Sequence, residues 1–104
     1  MTMEAVIANR PVEVNEQGYL LDMNQWDKEI ARGIALEEGI ELTDRHFEVL
    51  NYLRKEQESG TALSIRRVGK SGVVDIKEFY ALFPEGPLKK ASRIAGIPKP
   101  ASCI

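Results

Sequence analysis

The stretch Leu82-Phe83-Pro84-Glu85-Gly86-Pro87-Leu88-Lys89-Lys90-Ala91-Ser92-Arg93-Ile94-Ala95-Gly96-Ile97-Pro98-Lys99-Pro100-Ala101-Ser102-Cys103-Ile104 carries most of the architectural information in this chain. Two prolines around Glu85-Gly86 break the backbone sharply, and a proline is welcome at the first helical position, so a last helix is predicted over Leu88–Ala95. Its apolar side is Leu88, Ala91, Ile94 and Ala95, and Lys89, Lys90 and Arg93 form a basic face. Gly96 is a helix stop, Ile97 supplies the capping contact, and Pro98 prevents continuation. The expected division is therefore a globular part, residues 1–96, and an extended arm, residues 97–104. That arm carries the only cysteine, Cys103, at the penultimate position of the sequence. Cysteine is usually a small core residue, and a thiol on a proline-stiffened tail has little to pack against but free access to other molecules. An incidental thiol on a frayed tail is the bland reading. The sharper one is an arm that brings a reactive sulfur into a partner's site.

Working outward, Asp75 can cap a helix containing Ile76, Phe79, Tyr80 and Phe83, with Glu78 closing a capping box. Before it, Ala62–Lys70 reads as a short helix ended by Gly69-Lys70-Ser71-Gly72. This pair has the outline of a helix-turn-helix with local positive charge from Arg66, Arg67 and Lys70. The outward residues of the second helix are Lys77, Glu78 and Ala81, a poor set for reading base edges, so direct nucleic-acid binding is not expected. Thr43 caps a preceding helix whose stripe is Phe47, Val49, Leu50 and Leu53 and which stops at Ser59-Gly60. His46 in its first turn is read as a surface or interface residue without a catalytic partner. Asn24 is the expected cap of an earlier helix with Trp26, Ile30 and Ile34 on one face, stopped by Gly39. At the N-terminus, residues 4–8 and 12–14 read as a hairpin turning at Asn9-Arg10-Pro11, and Tyr19-Leu20-Leu21 as a further extended piece. The fold class is thus α+β and mostly α, an orthogonal bundle of about five short helices with a small hairpin, a helix-turn-helix-like core and a C-terminal arm.

Composition narrows the function. The chain has 104 residues, 29% charged and 43% hydrophobic, a profile of a folded single domain. No apolar run is long enough to span a bilayer and no basic-then-apolar leader is visible, so a cytoplasmic protein without membrane contact is expected. A net charge of −2 argues against a dedicated nucleic-acid binder, and one histidine with one cysteine gives no metal-ligand cluster. No cofactor is implied.

The blocks Leu82-Phe83-Pro84-Glu85-Gly86-Pro87 and Ile94-Ala95-Gly96-Ile97-Pro98-Lys99-Pro100 and the penultimate Cys103 together resemble the DsrC/TusE family of sulfur carriers. Gly18-Tyr19-Leu20, Trp26, Leu42-Thr43 with His46, Leu53-Arg54, and Ile65-Arg66 with Lys70 extend the resemblance over essentially the whole chain. It implies that Cys103 accepts and donates persulfide sulfur, in the TusE branch toward thiolation of the wobble uridine of tRNA. It also implies an upstream sulfur-donor complex and a downstream tRNA thiolase or sulfite reductase as partners, so that any sulfurtransferase activity is exercised with other proteins. Dissimilatory DsrC proteins resemble this chain but carry a second cysteine where Ser92 stands, and this chain looks more like the TusE branch. The stretch between Ile65 and Phe79 is shorter than in TusE-type chains and is similar to compact archaeal DsrC. A DsrC-like role beside sulfite reductase or in sulfur oxidation is therefore the alternative, and a helix-turn-helix regulator a more distant one. Besides Cys103, the docking candidates are Arg66, Lys70, Lys89, Lys90, Arg93, Lys99 and Ile104. Arg93 and Lys99 are the cations nearest in sequence that could favour the thiolate. An extended course from Ile97 to Cys103 reaches roughly 20 Å.

Overall fold

The computed structural model describes residues 3–98. Met3–Ile7 (β1) and Arg10–Val14 (β2) pair antiparallel, with Met3 opposite Val14 and Ile7 opposite Arg10. The turn between them is shorter than the sequence suggested. Only Ala8 and Asn9 lie in it, both at positive φ (53° and 64°), the paired left-handed conformations whose twist matches that of the strands. Pro11 is consequently inside β2, opposite Val6, a position open to proline because a two-stranded sheet consists of edges alone. The predicted third extended piece is reduced to a single bridge between Val14 and Leu20.

Five helices follow: Lys28–Glu37 (α1), Asp44–Glu58 (α2), Ile65–Gly69 (α3), Ile76–Leu82 (α4) and Pro87–Ile94 (α5). The start of α1 differs from expectation. Asn24 lies in a single 3-10 turn capped by Asp22, and the cap of α1 is Asp27, whose carboxylate accepts the Ile30 N–H at 3.0 Å and also pairs with Arg10 of β2 at 2.5 Å. Trp26 therefore precedes the helix instead of lying on its face. The buried side of α1 is Ile30, Ala31, Ile34 and Ala35. It rests on the hairpin, where a Cβ on Gly33 would come within 2.6 Å of the Ile7 side chain, so only glycine lets the two approach this closely. Glycine inside a helix costs about 1 kcal/mol relative to alanine, and the burial it permits offsets that.

α5 is the element around which the helices gather: it packs on α1, α2 and α4, and Leu88, Ala91, Ile94 and Ala95 are wholly buried. The small alanines allow the backbones to come close. The predicted inner face of α4 is only half right. Phe79 and Phe83 are buried and meet edge to face at 5.8 Å between ring centres, whereas Ile76 and Tyr80 are 44% and 46% exposed. The capping box there is also half formed: the Asp75 carboxylate accepts the Glu78 N–H at 2.7 Å, but Glu78 turns to Arg45 instead of back to its own helix.

His46 is the clearest correction. It is 7% exposed, and its Nδ1 accepts the Thr43 N–H at 3.1 Å while the Thr43 hydroxyl oxygen takes the His46 N–H. The capping box is thus built with histidine in the place usually held by Glu or Gln. With Nδ1 accepting, Nε2 is left to donate to the Leu82 carbonyl at 2.9 Å, and the ring stands edge-on to Phe83 at 5.2 Å. His46 ties the start of α2 to the end of α4.

Candidate functional site at the root of the C-terminal segment

The residue that the sequence singles out for chemistry, Cys103, lies outside the described residues, as do Lys99 and Ile104. The structure does define where their segment begins. α5 ends in the motif that Gly96 and Ile97 announce: the Ile97 N–H reaches the Ser92 carbonyl and the Gly96 N–H the Arg93 carbonyl, both at 3.1 Å, with Gly96 at φ 71°. The two following carbonyls are met by side chains from other elements. The Trp26 indole N–H donates to Ile94 O at 2.8 Å, and the Arg54 guanidinium donates to Ala95 O at 2.8 Å. Every one of these terminal acceptors therefore has a donor, as a buried helix end requires.

Arg54 also donates to Met23 O at 3.0 Å, and its guanidinium lies 4.3 Å over the Trp26 ring. A cation suits the negative end of the α5 dipole. Burial pulls the Arg54 pKa below its ordinary value, with the nearby Glu58 opposing. Gly96 sits in the resulting seat, where a Cβ would come within 2.6 Å of Trp26 and 2.9 Å of Leu20. Ile97 is fully buried and Pro98, the last described residue, is exposed. The arrangement fixes the backbone at the end of α5, through Gly96 and Ile97, against the rest of the body.

Sequence reasoning did not single out Arg54 and Trp26 as a clamp. The available signal was an arginine directly after the last buried leucine of α2, Leu53, and a tryptophan directly before an aspartate that caps a helix.

The basic docking candidates fall into two groups. Lys89, Lys90 and Arg93 line one cavity of about 270 Å³ together with Glu38 and Glu85. Arg93 is committed there, to Glu38 at 2.6 Å, Glu37 at 3.2 Å and the Gly18 carbonyl at 3.3 Å. Lys90 lies 3.9 Å from Glu85, and Lys89 is exposed. The expected basic face of α5 is thus largely neutralised within the chain. Arg66 and Lys70 line a different cavity, beside α2.

Ser92 is fully buried, and its hydroxyl is the one buried side-chain polar atom among the described residues that lacks a hydrogen-bond partner. No group of three or more His, Cys, Asp or Glu that could hold a metal occurs among the described residues. No described helix is long and apolar enough to cross a membrane.

These features define a small helical domain with one hairpin, built to anchor the root of a C-terminal segment. Comparison with known proteins gives the family. The family described as "DsrC like protein" matches residues 6–104, and the chain belongs to it. A "Sulfurtransferase TusE homolog" of Haemophilus influenzae is 43% identical, the match spanning 89% of this chain and 93% of that protein. Sulfurtransferase TusE of Pectobacterium atrosepticum is 40% identical over 91% of this chain and 94% of its own length. Among solved structures, DsrC of Allochromatium vinosum superposes with a TM-score of 0.82 at 34% identity, covering 100% of both chains. The oxidized gamma-subunit of the dissimilatory sulfite reductase (DsrC) from Archaeoglobus fulgidus gives 0.80 at 33% identity, covering 98% of this chain and 100% of that one.

Proposed function

We propose that the chain is a sulfur-relay carrier whose Cys103 takes up and hands on persulfide sulfur, acting toward the 2-thiolation of the tRNA wobble uridine. The observation that carries this reading is the extent of the family match, which runs to residue 104 and so includes the only cysteine. The names of the TusE relatives support the sulfurtransferase class.

The chemistry is thiol exchange. The Cys103 thiolate attacks the outer sulfur of a donor persulfide, the S–S bond of the donor breaks, and the donor leaves as a thiolate while Cys103 becomes a persulfide. No electrons enter or leave the pair. Transfer onward repeats the step with the acceptor's thiolate as nucleophile. Cys103 lies five residue steps beyond Pro98, so an extended course would reach about 15 Å from it. The prolines at 98 and 100 restrict the tether and lower the entropy lost on insertion. Arg93 is held by Glu37 and Glu38, which leaves Lys99 as the sequence-local cation for the thiolate.

The partners of this reading are a protein persulfide donor upstream and a tRNA thiolase downstream, all in the cytoplasm. The solved DsrC structures favour a second reading, a partner of dissimilatory sulfite reductase. A chain with Ser92 and a single cysteine has no internal disulfide to close, which supports the carrier branch. A reconstituted thiolation assay decides between the two. With donor and thiolase supplied, wild type is expected to restore 2-thiouridine and Cys103→Ser to fail. Restoration by Cys103→Ser would remove the thiol from the mechanism.

A further inference from the structure

A cavity of about 400 Å³ opens between α2 and α3, away from the groups that hold the root of the C-terminal segment. Arg66, Arg67 and Lys70 line it from α3 and its C-terminal cap, and Tyr52 and Glu56 from α2. The charges here are unspent. Among the described residues Arg10, Arg32, Arg45 and Arg93 each face a carboxylate and Arg54 holds two carbonyls, while Arg66 and Arg67 have no ion-pair or side-chain hydrogen-bond partner, and Lys70 has none either. In a chain of net charge −2, three unpaired cations on one wall are a local reversal of sign. Glu56 is the lone carboxylate in the lining and leaves the cavity with a surplus of two positive charges.

Neutral donors add to this. Ser64 caps α3 by accepting the Arg67 N–H at 3.1 Å, which leaves its hydroxyl proton free to donate into the cavity. Tyr52 stays a protonated phenol on the cavity wall: burial, with Glu56 adding, raises its pKa above the ordinary value, against the Arg67 charge and a hydrogen bond with Ser71. Ser71, by contrast, is used structurally, donating to Val68 O at 2.6 Å and accepting from Val73 N.

We propose that this cavity is a binding site for the phosphate-monoester group of a small phosphorylated molecule. The reasons are charge, donors and size. A phosphate monoester carries about −1.5 to −2 at neutral pH and accepts several charge-assisted hydrogen bonds, which arginine forks supply best. The volume lies at the lower end of small-molecule sites and exceeds what the phosphate alone fills, so part of the attached molecule enters with it. A nucleic-acid backbone fits less well, because it needs a track of cations. Beyond α3 the exposed cations thin out: α4 adds Lys77 alone, beside exposed Ile76 and Tyr80, and Arg45 is held by Glu48 and Glu78. This site shares no residue with the persulfide step, so its failure would leave the role of Cys103 standing.

The test is a titration of the full chain followed by backbone amide NMR at constant ionic strength. The probes are inorganic phosphate, adenosine 5′-monophosphate, adenosine and a single-stranded oligonucleotide. Saturable shifts confined to residues 52–56 and 64–71 are expected with both phosphates and none with adenosine. Arg67→Gln and Lys70→Gln, both at exposed positions, are each expected to weaken binding about tenfold, and Lys89→Gln to leave it unchanged. Absence of saturation with either phosphate, or equal binding by the Gln variants, would overturn the proposal. Tighter binding of the oligonucleotide than of the mononucleotide would overturn it in favour of a nucleic-acid face.

Discussion

Replacing Arg54 by alanine tests whether the root of the C-terminal segment is held as described. The substitution removes hydrogen bonds to Ala95 O and Met23 O and the stack on Trp26, and leaves the end of α5 with an acceptor short of its donor. A hydrogen bond from a charged donor contributes about 1.5–3 kcal/mol, and the half-exposed setting favours the lower end. The stack adds about 0.5–1 kcal/mol, while release of a partly desolvated charge offsets some of the loss. The net expectation is a destabilisation of about 3 kcal/mol, or a melting temperature lower by about 10–20 °C for a domain of this size. Urea unfolding followed by far-UV circular dichroism measures it. Arg54→Lys should fall between, because an ammonium keeps the charge but not the planar fork that spans two carbonyls. A loss under about 1 kcal/mol for Arg54→Ala, or a lysine variant as stable as wild type, would refute the clamp.

Three further outcomes follow from the same geometry. Ser92→Ala removes a buried hydroxyl without a partner and improves helix propensity, so the variant should be more stable by about 1 kcal/mol in urea; a loss of that size would mean the hydroxyl is bonded. Gly96→Ala combines a left-handed backbone with a collision against Trp26 and Leu20 and should lose about 2–4 kcal/mol, whereas an unchanged melting temperature would show the seat to be loose. The hydrogen bond from Arg10 holds the Asp27 carboxyl down at about 2, and that from Arg45 lowers Glu78. A carboxyl with a depressed folded pKa stabilises fully above its ordinary value, 3.8 for Asp27, and that contribution is lost as pH falls through about 2. Stability should therefore drop between pH 4 and 2, less so in high salt because both pairs are exposed, and Asp27→Asn should flatten that limb.

The parts of the fold that were legible in the sequence are those set by local pattern. The stripes of α1 and α2, the stops at Gly39 and Ser59-Gly60 and the Gly96-Ile97 ending of α5 each depend on residues within one or two turns of each other. What was not legible is set by distant partners. Asn24 and Asp27 are equally good cap residues by type, and the choice falls to Asp27, which also reaches Arg10, 17 residues away. Arg93 looked like a free surface cation because its carboxylate partners lie 55 and 56 residues earlier. The clamp on α5 draws Trp26 from 68 residues away and Arg54 from 41. His46 was misjudged for a related reason. The position three residues after a capping threonine is usually read for Glu or Gln, and the Leu82 carbonyl that completes its bonding is 36 residues further on. For the site, the motif nominates Cys103, which lies outside the described residues, and the groups that hold the end of α5 came only with the packing.

The measurement closest to the central claim is the intact mass of the protein after incubation with a cysteine desulfurase, its substrate cysteine and the intermediary sulfur-transfer proteins. The account predicts a gain of one sulfur atom that maps by fragmentation to Cys103, disappears on mild reduction and is absent from Cys103→Ser. An unmodified Cys103 beside a donor shown to be competent on another acceptor, or a sulfur adduct that persists in the serine variant, would contradict it.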